Sequence, residues 1–217
     1  MYRLVDSSGG DEVMIKTAIV LAIIGPILCG ICDCLLSYTP KGRLNLADIK
    51  DQDKMSAMFA DMPLSFPLAS MIMGTFAITL FGFGYFALCY WMKYYSGTAA
   101  NIMFVATVIF LVSIVVHHVI CGVVEWGYIR LGRTDEARTA LLELQKKTIS
   151  TMVAGYAGWL VLLVTLFVMV VQGKTGLPAW GCVFNTAVIM LPLAPTRIPA
   201  KGNVAGALMF IGLLFII

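Results

Sequence analysis

Long apolar runs separated by short, charged connectors limit most strongly how this chain can fold. Of its 217 residues, 60% are hydrophobic and 12% are charged, whereas a typical soluble domain carries about 25% charged residues. Backbone groups surrounded by hydrocarbon must form their hydrogen bonds within each segment, so apolar runs of about 20 residues are expected to be helices. The chain is therefore predicted to be one all-α domain over residues 1–217, a polytopic transmembrane helix bundle.

Six apolar runs of this kind are present, and none alternates apolar with polar residues as a strand would. Proline residues crowd the end of the fifth run, at Pro192, Pro195 and Pro199, where regular helix is not expected. The sixth run has 15 residues, about 22 Å of helix, so we expect the native chain to continue past it. The predicted spans are 14–38, 66–92, 99–128, 149–172, 178–196 and 203–217.

The Lys and Arg residues are divided unequally between the two sets of connectors. With six spans, eleven of them fall on the face that holds residues 41–65, 129–148 and 197–202, and four fall on the other face. Basic connectors stay on the cytoplasmic side of a cell membrane, so both termini are predicted to be extracytoplasmic. These connectors also explain the net charge of +3, which gives no reason to expect nucleic acid as a partner.

Two of the predicted cytoplasmic connectors are long enough to have structure. Residues 133–148, RTDEARTALLELQKKT, combine strong helix formers with Thr134 as an N-cap, so a short helix is predicted there. Residues 41–67 mix balanced charges with Leu, Ile, Met and Phe. This second connector has two interpretations, an amphipathic lid in the membrane interface or a solvated loop.

The third run carries polar side chains at helical spacing. Ser113, His117, Cys121 and Glu125 recur every four residues, and His118 lies three before Cys121, so all five share one broad face of a helix. An ionisable side chain at mid-bilayer costs about 2.5–3.5 kcal/mol. These residues are therefore expected to face the interior of the bundle and are candidates for a functional site.

Asp33 in the first run is their predicted partner. It lies about 7–8 Å from the cytoplasmic end of its span, at a depth close to that of His118. If the two helices are neighbours, the carboxylate can pair with the imidazole. Asp33, His118 and, second, His117 are the candidate catalytic groups, as proton-exchanging or hydrogen-bonding side chains. The candidate ligand-binding residues are Ser113, Cys121, Glu125 and Tyr156, and further polar residues expected around the pocket are Ser70, Thr75, Thr151 and Asn203.

A structural network is the alternative interpretation of the same residues. In it, His117 bonds a carbonyl, His118 pairs with Asp33 for stability alone, and Glu125 lies at the membrane interface. The sequence WGYIR that follows Glu125 is typical of such an interface. Both interpretations remain open at this point.

More specific chemistries have weaker support. Adjacent histidines point about 100° apart on a helix, and no HExxH motif is present, so no metal site is predicted. The CGIC stretch at 29–32 has dithiol spacing but no second cysteine pair on an aqueous face. Ser113 and His117 have nucleophile and base spacing without an identifiable oxyanion hole. No nucleotide-binding loop is present, and the sequence indicates no particular cofactor.

Three stretches of the chain resemble members of a protein family. GICDCLLSYTP at 30–40, FGFGYFALCYWMK at 81–93 and the histidine-bearing third run are similar to an uncharacterised family of bacterial multi-pass integral membrane proteins, over roughly the first three spans. The resemblance implies an aspartate in the first helix together with a histidine in a later one, and it implies no activity. It leaves open whether His117 or His118 is the matching histidine.

The leading functional hypothesis is a site that binds or processes an amphiphilic, lipid-like small molecule in the cytoplasmic half of the membrane. A small proton-coupled transporter or channel and a non-catalytic membrane scaffold are the alternatives. A water path to both faces would favour transport, whereas a blind pocket that opens sideways would favour a lipid site. Membrane lipid is the expected partner.

Overall fold

The structure is a computed structural model that describes residues 9–45 and 47–217. It is built almost entirely from α-helices, as the sequence predicts. They are interrupted by a short antiparallel ribbon, β1 (Tyr38–Thr39) and β2 (Gly42–Arg43), and by the 3₁₀ segments Asp48–Lys50 and Ala179–Phe184. The helices are α1 (Gly9–Ser37), α2 (Gln52–Met58), α3 (Ser65–Met92), α4 (Gly97–Arg130), α5 (Asp135–Lys147), α6 (Ser150–Val171), α7 (Thr186–Leu193) and α8 (Lys201–Ile216).

The number of helices that can cross a membrane is smaller than the six predicted spans. α1, α3 and α4 are three of them, and α5 with α6, over Asp135–Val171, counts as the fourth. α8 is apolar but has only 16 residues. In the described part of the chain, four helices are therefore long and apolar enough to cross a membrane, and the last two predicted spans correspond to shorter elements.

The predicted fifth span, 178–196, is not one helix. It consists of the 3₁₀ segment Ala179–Phe184 followed by α7, which has 8 residues. Asn185 separates the two, because its side-chain oxygen accepts from Ala187 N as the N-cap of α7 (3.0 Å) and its Nδ2 donates to Leu163 O of α6 (2.8 Å). A buried amide with both partners stabilises this break in the helix.

The long helices form an open ring. α1 packs along α3 and α8, α3 packs along α4, and α4 packs along α6. Glycines allow the close approaches, since a Cβ on Gly25 would lie 2.7 Å from Ala77 O of α3, and one on Gly158 would lie 2.7 Å from Ala106 O of α4. Within the described residues, α6 has no extensive packing against α1 or α8, and the Ala179–Phe184 segment bridges α6 and α8 instead.

The connector after α1 folds into a compact unit that we call the cap, which consists of residues 38–45 and 47–64 together with α5. Arg133, in the turn between α4 and α5, donates from Nε to Phe59 O and from Nη2 to Ala60 O, both at 2.9 Å. The connector is therefore a packed cover on one end of the bundle and not a solvated loop. The buried cluster that joins the cap to α4 contains Met55, Phe59, Met62, Tyr128, Ile129 and Ala137.

α5 is the one part of the cap whose secondary structure the sequence specifies by itself. The helix predicted within residues 133–148 is confirmed, and Thr134 Oγ1 accepts from Ala137 N as its N-cap at 3.2 Å. Asp135 and Glu136 occupy its first turn, and its last turn ends in lysines. This charge order suits the helix dipole.

Candidate functional site

A cavity of about 530 Å³ lies inside the ring at the end that carries the cap. α1, α3, α4 and α6 form its walls, the cap covers it, and the first turn of α8 lies at its edge. Its volume is in the range of small-molecule sites, about 300–1,000 Å³. The predicted site residues that line it are Asp33, His117, His118, Cys121, Glu125 and Tyr156.

Asp33 and His118 lie next to each other in the cavity lining, as their equal depth in α1 and α4 predicted. Asp33 Oδ1 lies 3.7 Å from His118 Nδ1, a distance for a charge pair that is too long for a hydrogen bond. Asn203 Nδ2 of α8 donates to the other oxygen, Asp33 Oδ2, at 2.6 Å. Three helices that are distant in sequence thus meet at one carboxylate.

His118 packs closely against α3, where it contacts Ser70 and Gly74. Its Nε2 lies 3.2 Å from Ser70 Oγ and 3.1 Å from Ser70 O, and Ser70 Oγ donates to Cys32 O of α1 at 2.9 Å. The Ser70 hydroxyl proton is used in the bond to Cys32 O, and Ser70 O can only accept. His118 Nε2 therefore carries the hydrogen in its contacts with Ser70. Gly74 leaves room for the ring, since a Cβ there would overlap the imidazole. His118 Nδ1 is therefore the nitrogen that is available to Asp33.

His117 points to a different neighbour. Its Nδ1 lies 3.4 Å from Thr151 Oγ1 at the start of α6, and its Nε2 lies 3.6 Å from Cys121 Sγ. Gln145 Nε2 of α5 approaches the same Cys121 sulfur at 3.8 Å. The two histidines thus use different walls of the cavity, His118 on the α1 and α3 side and His117 on the α6 side.

Glu125 is buried, whereas the alternative interpretation of the sequence places it at the membrane interface. Only 9% of the Glu125 surface is exposed, and the residue lines the cavity beneath the cap. Met55 and Phe59 of the cap cover this end of α4, where the sequence alone suggested head groups and water. Among the described residues, Glu125 Oε2 has no hydrogen-bond partner.

Aromatic side chains close the end of the cavity that lies far from the cap. Phe81 and Phe110 contact edge to face with ring centroids 6.3 Å apart, and Phe110 stacks on Trp159 at 6.2 Å. Trp159 Nε1 donates to Tyr85 OH at 2.8 Å, which ties α6 to α3 above the cavity. Phe210 of α8 packs on Phe81 at 5.7 Å. The cavity is therefore blind at this end.

The open side of the ring lies between α6 and the first turn of α8. Tyr156 of α6 lines the cavity and is also 52% exposed. Gly202 lines the opposite edge, and a Cβ there would meet no atom within 4 Å. Arg43 of the cap and Lys201 of α8 add two cationic side chains to the cavity lining.

The structure does not bring every predicted residue into the site. Ser113 is absent from the cavity lining, and Thr75 Oγ1 donates to Met71 O within its own helix. Arg43, Gln145 and Lys201 line the cavity but were not predicted. They lie in or beside connectors, whose positions depend on how the cap and the α7–α8 turn fold, and only their charge or polarity could have suggested them.

Ser70, His118 and Asp33 are the residue types of a hydrolase triad, but the serine hydroxyl does not donate its hydrogen bond to the histidine. A nucleophilic serine gives its proton to the histidine, whereas Ser70 donates to Cys32 O and is fully buried, outside the cavity lining. The hydrogen-bond partners of His117 are Thr151 and Cys121 and do not include Ser113. The arrangement fits a proton held between Asp33 and His118 and does not fit acyl transfer.

Metal and thiol chemistry have little support in the geometry. Across residues 9–45 and 47–217, no group of three or more His, Cys, Asp or Glu side chains converges as metal ligands would. Cys29 and Cys32 of the CGIC stretch are free thiols buried in the bundle. Packing explains the positions of these two cysteines.

Comparison with known proteins adds family membership. No curated protein and no solved structure was found to match the chain. A family model described as "Family of unknown function (DUF6796)" matches residues 7–216. This match extends beyond the first three spans, where the sequence resemblance was expected, and it says nothing of source organism or activity. The chain therefore belongs to the family of unknown function DUF6796.

Proposed function

We propose that this protein is a multi-pass protein of the cell membrane that binds a lipid-like amphiphile in the cavity beneath its cap. The observation that carries the proposal is the division of the cavity into an apolar and a polar half. Phe81, Phe110 and Trp159 line the blind half, and Asp33 and Glu125 line the half toward the cap. A molecule with an apolar chain and a polar head matches this division.

The dimensions of the cavity agree with such a molecule. Its lining on α4 runs from Phe110 to Glu125, about 22 Å along the helix axis. The polar part begins at His117, so about 10 Å of apolar wall precedes about 12 Å of polar wall. A single chain with an extended head, or part of a larger lipid, fits better than a compact polar solute.

The position of the opening supports access from the membrane. The gap lies between α6 and the first turn of α8, beside the half-exposed Tyr156. A lipid can enter sideways through such a gap without leaving the bilayer. The aromatic closure by Phe81, Phe110 and Trp159 speaks against an open channel, because a channel requires a continuous path to both faces.

Asp33 and His118 give the site a proton that can be exchanged with a bound head group. Their polar atoms are 3.7 Å apart at the cavity wall, and Asn203 fixes the carboxylate. His117, on the opposite wall, is the second candidate for this role. We propose binding with hydrogen-bond exchange as the function, because the buried Ser70 leaves no nucleophile on this histidine.

The finer topology belongs to the same proposal. With the cap in the cytoplasm, both termini are extracytoplasmic, and the 3₁₀ segment Ala179–Phe184 with α7 descends beside the ascending α8 as a fifth and a sixth crossing. Each of these two units is about 24 Å long at standard helical rises. The excess of Lys and Arg on the cap side supports this orientation.

The proposal can be tested by placing a larger side chain at the edge of the cavity, where it would occupy space that a lipid needs. Gly202→Leu adds a side chain where a Cβ meets no atom within 4 Å, and Gly97→Leu makes the same change in the first turn of α4, where a Cβ also meets none. Untargeted mass spectrometry of lipids that copurify should find a species retained by wild type and by Gly97→Leu and at least fivefold depleted in Gly202→Leu. Asp33→Asn and His118→Ala should deplete it too. If Gly202→Leu folds and retains the same lipids as wild type, the proposal is wrong.

A further inference from the structure

Glu125 is a buried cavity residue whose carboxylate has an oxygen without a partner in the described part of the protein. The residue is 9% exposed, and Oε2 is shielded without a hydrogen-bond partner among the described residues. A buried carboxylate is costly unless a donor or a positive charge accompanies it. Its position in the cavity lining means that a bound molecule can supply the missing donor.

The second carboxylate of the cavity is also incompletely paired. Asp33 accepts one hydrogen bond from a neutral amide, on Asn203, and the only basic side chain within 4 Å of it in the described chain is His118, at 3.7 Å. No lysine or arginine of the described chain lies within salt-bridge distance of Asp33 or Glu125. The polar half of the cavity thus has two acidic groups and lacks a full cationic partner for either.

The cations of the cavity lie elsewhere. Lys201 donates from Nζ to Ala194 O at 2.6 Å, and Arg43 lies on the ribbon of the cap. Both line the cavity and do not pair with Glu125. They leave the acidic interior uncompensated and would instead suit an anionic group of a ligand that extends to them.

We propose that the amphiphile bound here carries an ammonium group in its head, received by Glu125. An ammonium provides both the hydrogen that Oε2 lacks and a positive charge. The apolar chain then lies along Ile114 and Phe110 toward Trp159. This inference rests on the proposed function and adds the chemical class of the ligand.

The experiment compares three probes with one chain length and different heads: dodecylamine, dodecanol and dodecanoate, each brominated in the chain. Trp159 lines the cavity, so a bound bromine quenches its fluorescence, and Trp159→Phe identifies that component among the four tryptophans. In wild-type protein, dodecylamine should half-saturate this quenching at a concentration at least tenfold lower than dodecanol. Dodecanoate should bind more weakly than dodecanol.

The variant that tests the assigned acceptor is Glu125→Gln, with Glu143→Gln as the matched control on the exposed surface of α5. Glu125→Gln should bring the amine and the alcohol within twofold of each other and leave alcohol binding unchanged, whereas Glu143→Gln should keep the wild-type preference. A preference for dodecanoate, or an amine preference that survives Glu125→Gln, overturns the ammonium inference while the cavity remains a lipid site. Failure of all three probes to quench Trp159 overturns the proposed function as well.

A second pair of probes identifies the source of the ammonium. Lysophosphatidylethanolamine has an ammonium and a phosphate on one chain, and lysophosphatidylglycerol has the phosphate alone. Tighter binding of lysophosphatidylethanolamine than of dodecylamine would support the ammonium of a phospholipid head, with its phosphate toward Arg43. Tighter binding of dodecylamine would support a simple amine. Tighter binding of lysophosphatidylglycerol than of either would overturn the inference.

Discussion

Asp33 and Asn203 are 170 positions apart in the chain, and their side chains meet in a hydrogen bond of 2.6 Å. The contact joins the first long helix to the last helix at the wall of the cavity. It also holds the carboxylate in place beside His118. A neutral amide that binds a carboxylate fixes its position without neutralising its charge, which is what a site for a positively charged or proton-sharing group requires.

The strength of this contact can be measured by a double-mutant cycle. Asp33→Ala, Asn203→Ala and the double variant should give a coupling energy of about 1.5–3 kcal/mol, because a hydrogen bond to a charged group in a partly shielded site is worth about that much. The measurement is the free energy of unfolding in mixed micelles. Glu143 and Lys147, an exposed pair on α5, should couple by only about 0.3–0.5 kcal/mol. A coupling for Asp33 and Asn203 no larger than this control would contradict the structural role given to the contact.

At the residue scale, the level of a side chain along the bundle was predictable, and the elements that cover it were not. A helix rises by a fixed distance per residue, so counting along α1 and α4 was enough to bring Asp33 and His118 to one layer. The sequence WGYIR after Glu125 gave the membrane interface as one interpretation of that residue. It could not show that the cap extends over that end of α4, because the cap is built from distant parts of the chain. The functional roles of these residues stay predictions.

The short elements of the cap are attached to the bundle largely through one side chain, that of Arg133. Gly132 and Arg133 both have positive φ, 81° and 57°, in the turn that joins α4 to α5. This turn directs the Arg133 guanidinium to Phe59 O and Ala60 O, and Gln52 Nε2 donates back to Arg133 O at 2.6 Å. The connector is therefore attached to the bundle at both the side chain and the backbone of Arg133.

Arg133→Ala should loosen the cap and leave the long helices intact. Loss of two hydrogen bonds from a charged donor, one of them exposed, should cost about 1.5–3 kcal/mol in local stability, which corresponds to roughly 10–150-fold faster amide exchange. The measurement is hydrogen exchange by mass spectrometry over residues 47–64. Arg130→Ala, which removes an exposed arginine one turn earlier, is the control and should leave exchange there unchanged. Equal exchange in the two variants would show that Arg133 does not hold the cap.

At the element scale, local sequence was sufficient where an element is stable by itself. α5 has a capping threonine and the charge order of a favourable helix, and it was predicted. The 3₁₀ segment and α7 were missed, because hydropathy over 178–196 does not distinguish one long helix from two short ones. Asn185, followed by Thr186, carried the signal of a new helix start inside the apolar run. Its decisive contact is with Leu163 O of another helix, and sequence periodicity contains no information about that contact.

The ring of the whole molecule is closed at the end far from the cap and open at its side, between α6 and the first turn of α8. Aromatic packing among Phe81, Phe110 and Trp159 closes the end far from the cap. Toward the cap, α6 has no extensive packing against α1 or α8 in the described chain, and the cavity occupies the space. The four long apolar helices were predictable from the apolar runs. The gap between α6 and α8 was not, because it depends on where the interrupted segment before α8 packs.

The number and direction of crossings can be tested by labelling single cysteines. In a variant without the six native cysteines, Ala60→Cys in the cap and Ala194→Cys between α7 and α8 should react with a membrane-impermeant maleimide only from the cytoplasmic side. Thr98→Cys and Gln172→Cys, at the opposite ends of α4 and α6, should react only from outside. All four positions are exposed, so reactivity reports the side of the membrane and not burial. Labelling of Ala194→Cys from outside, with Ala60→Cys still cytoplasmic, would mean four crossings and a hairpin of α7 and α8 that does not traverse the bilayer. Labelling of Ala60→Cys from outside would reverse the orientation that the basic connectors predict.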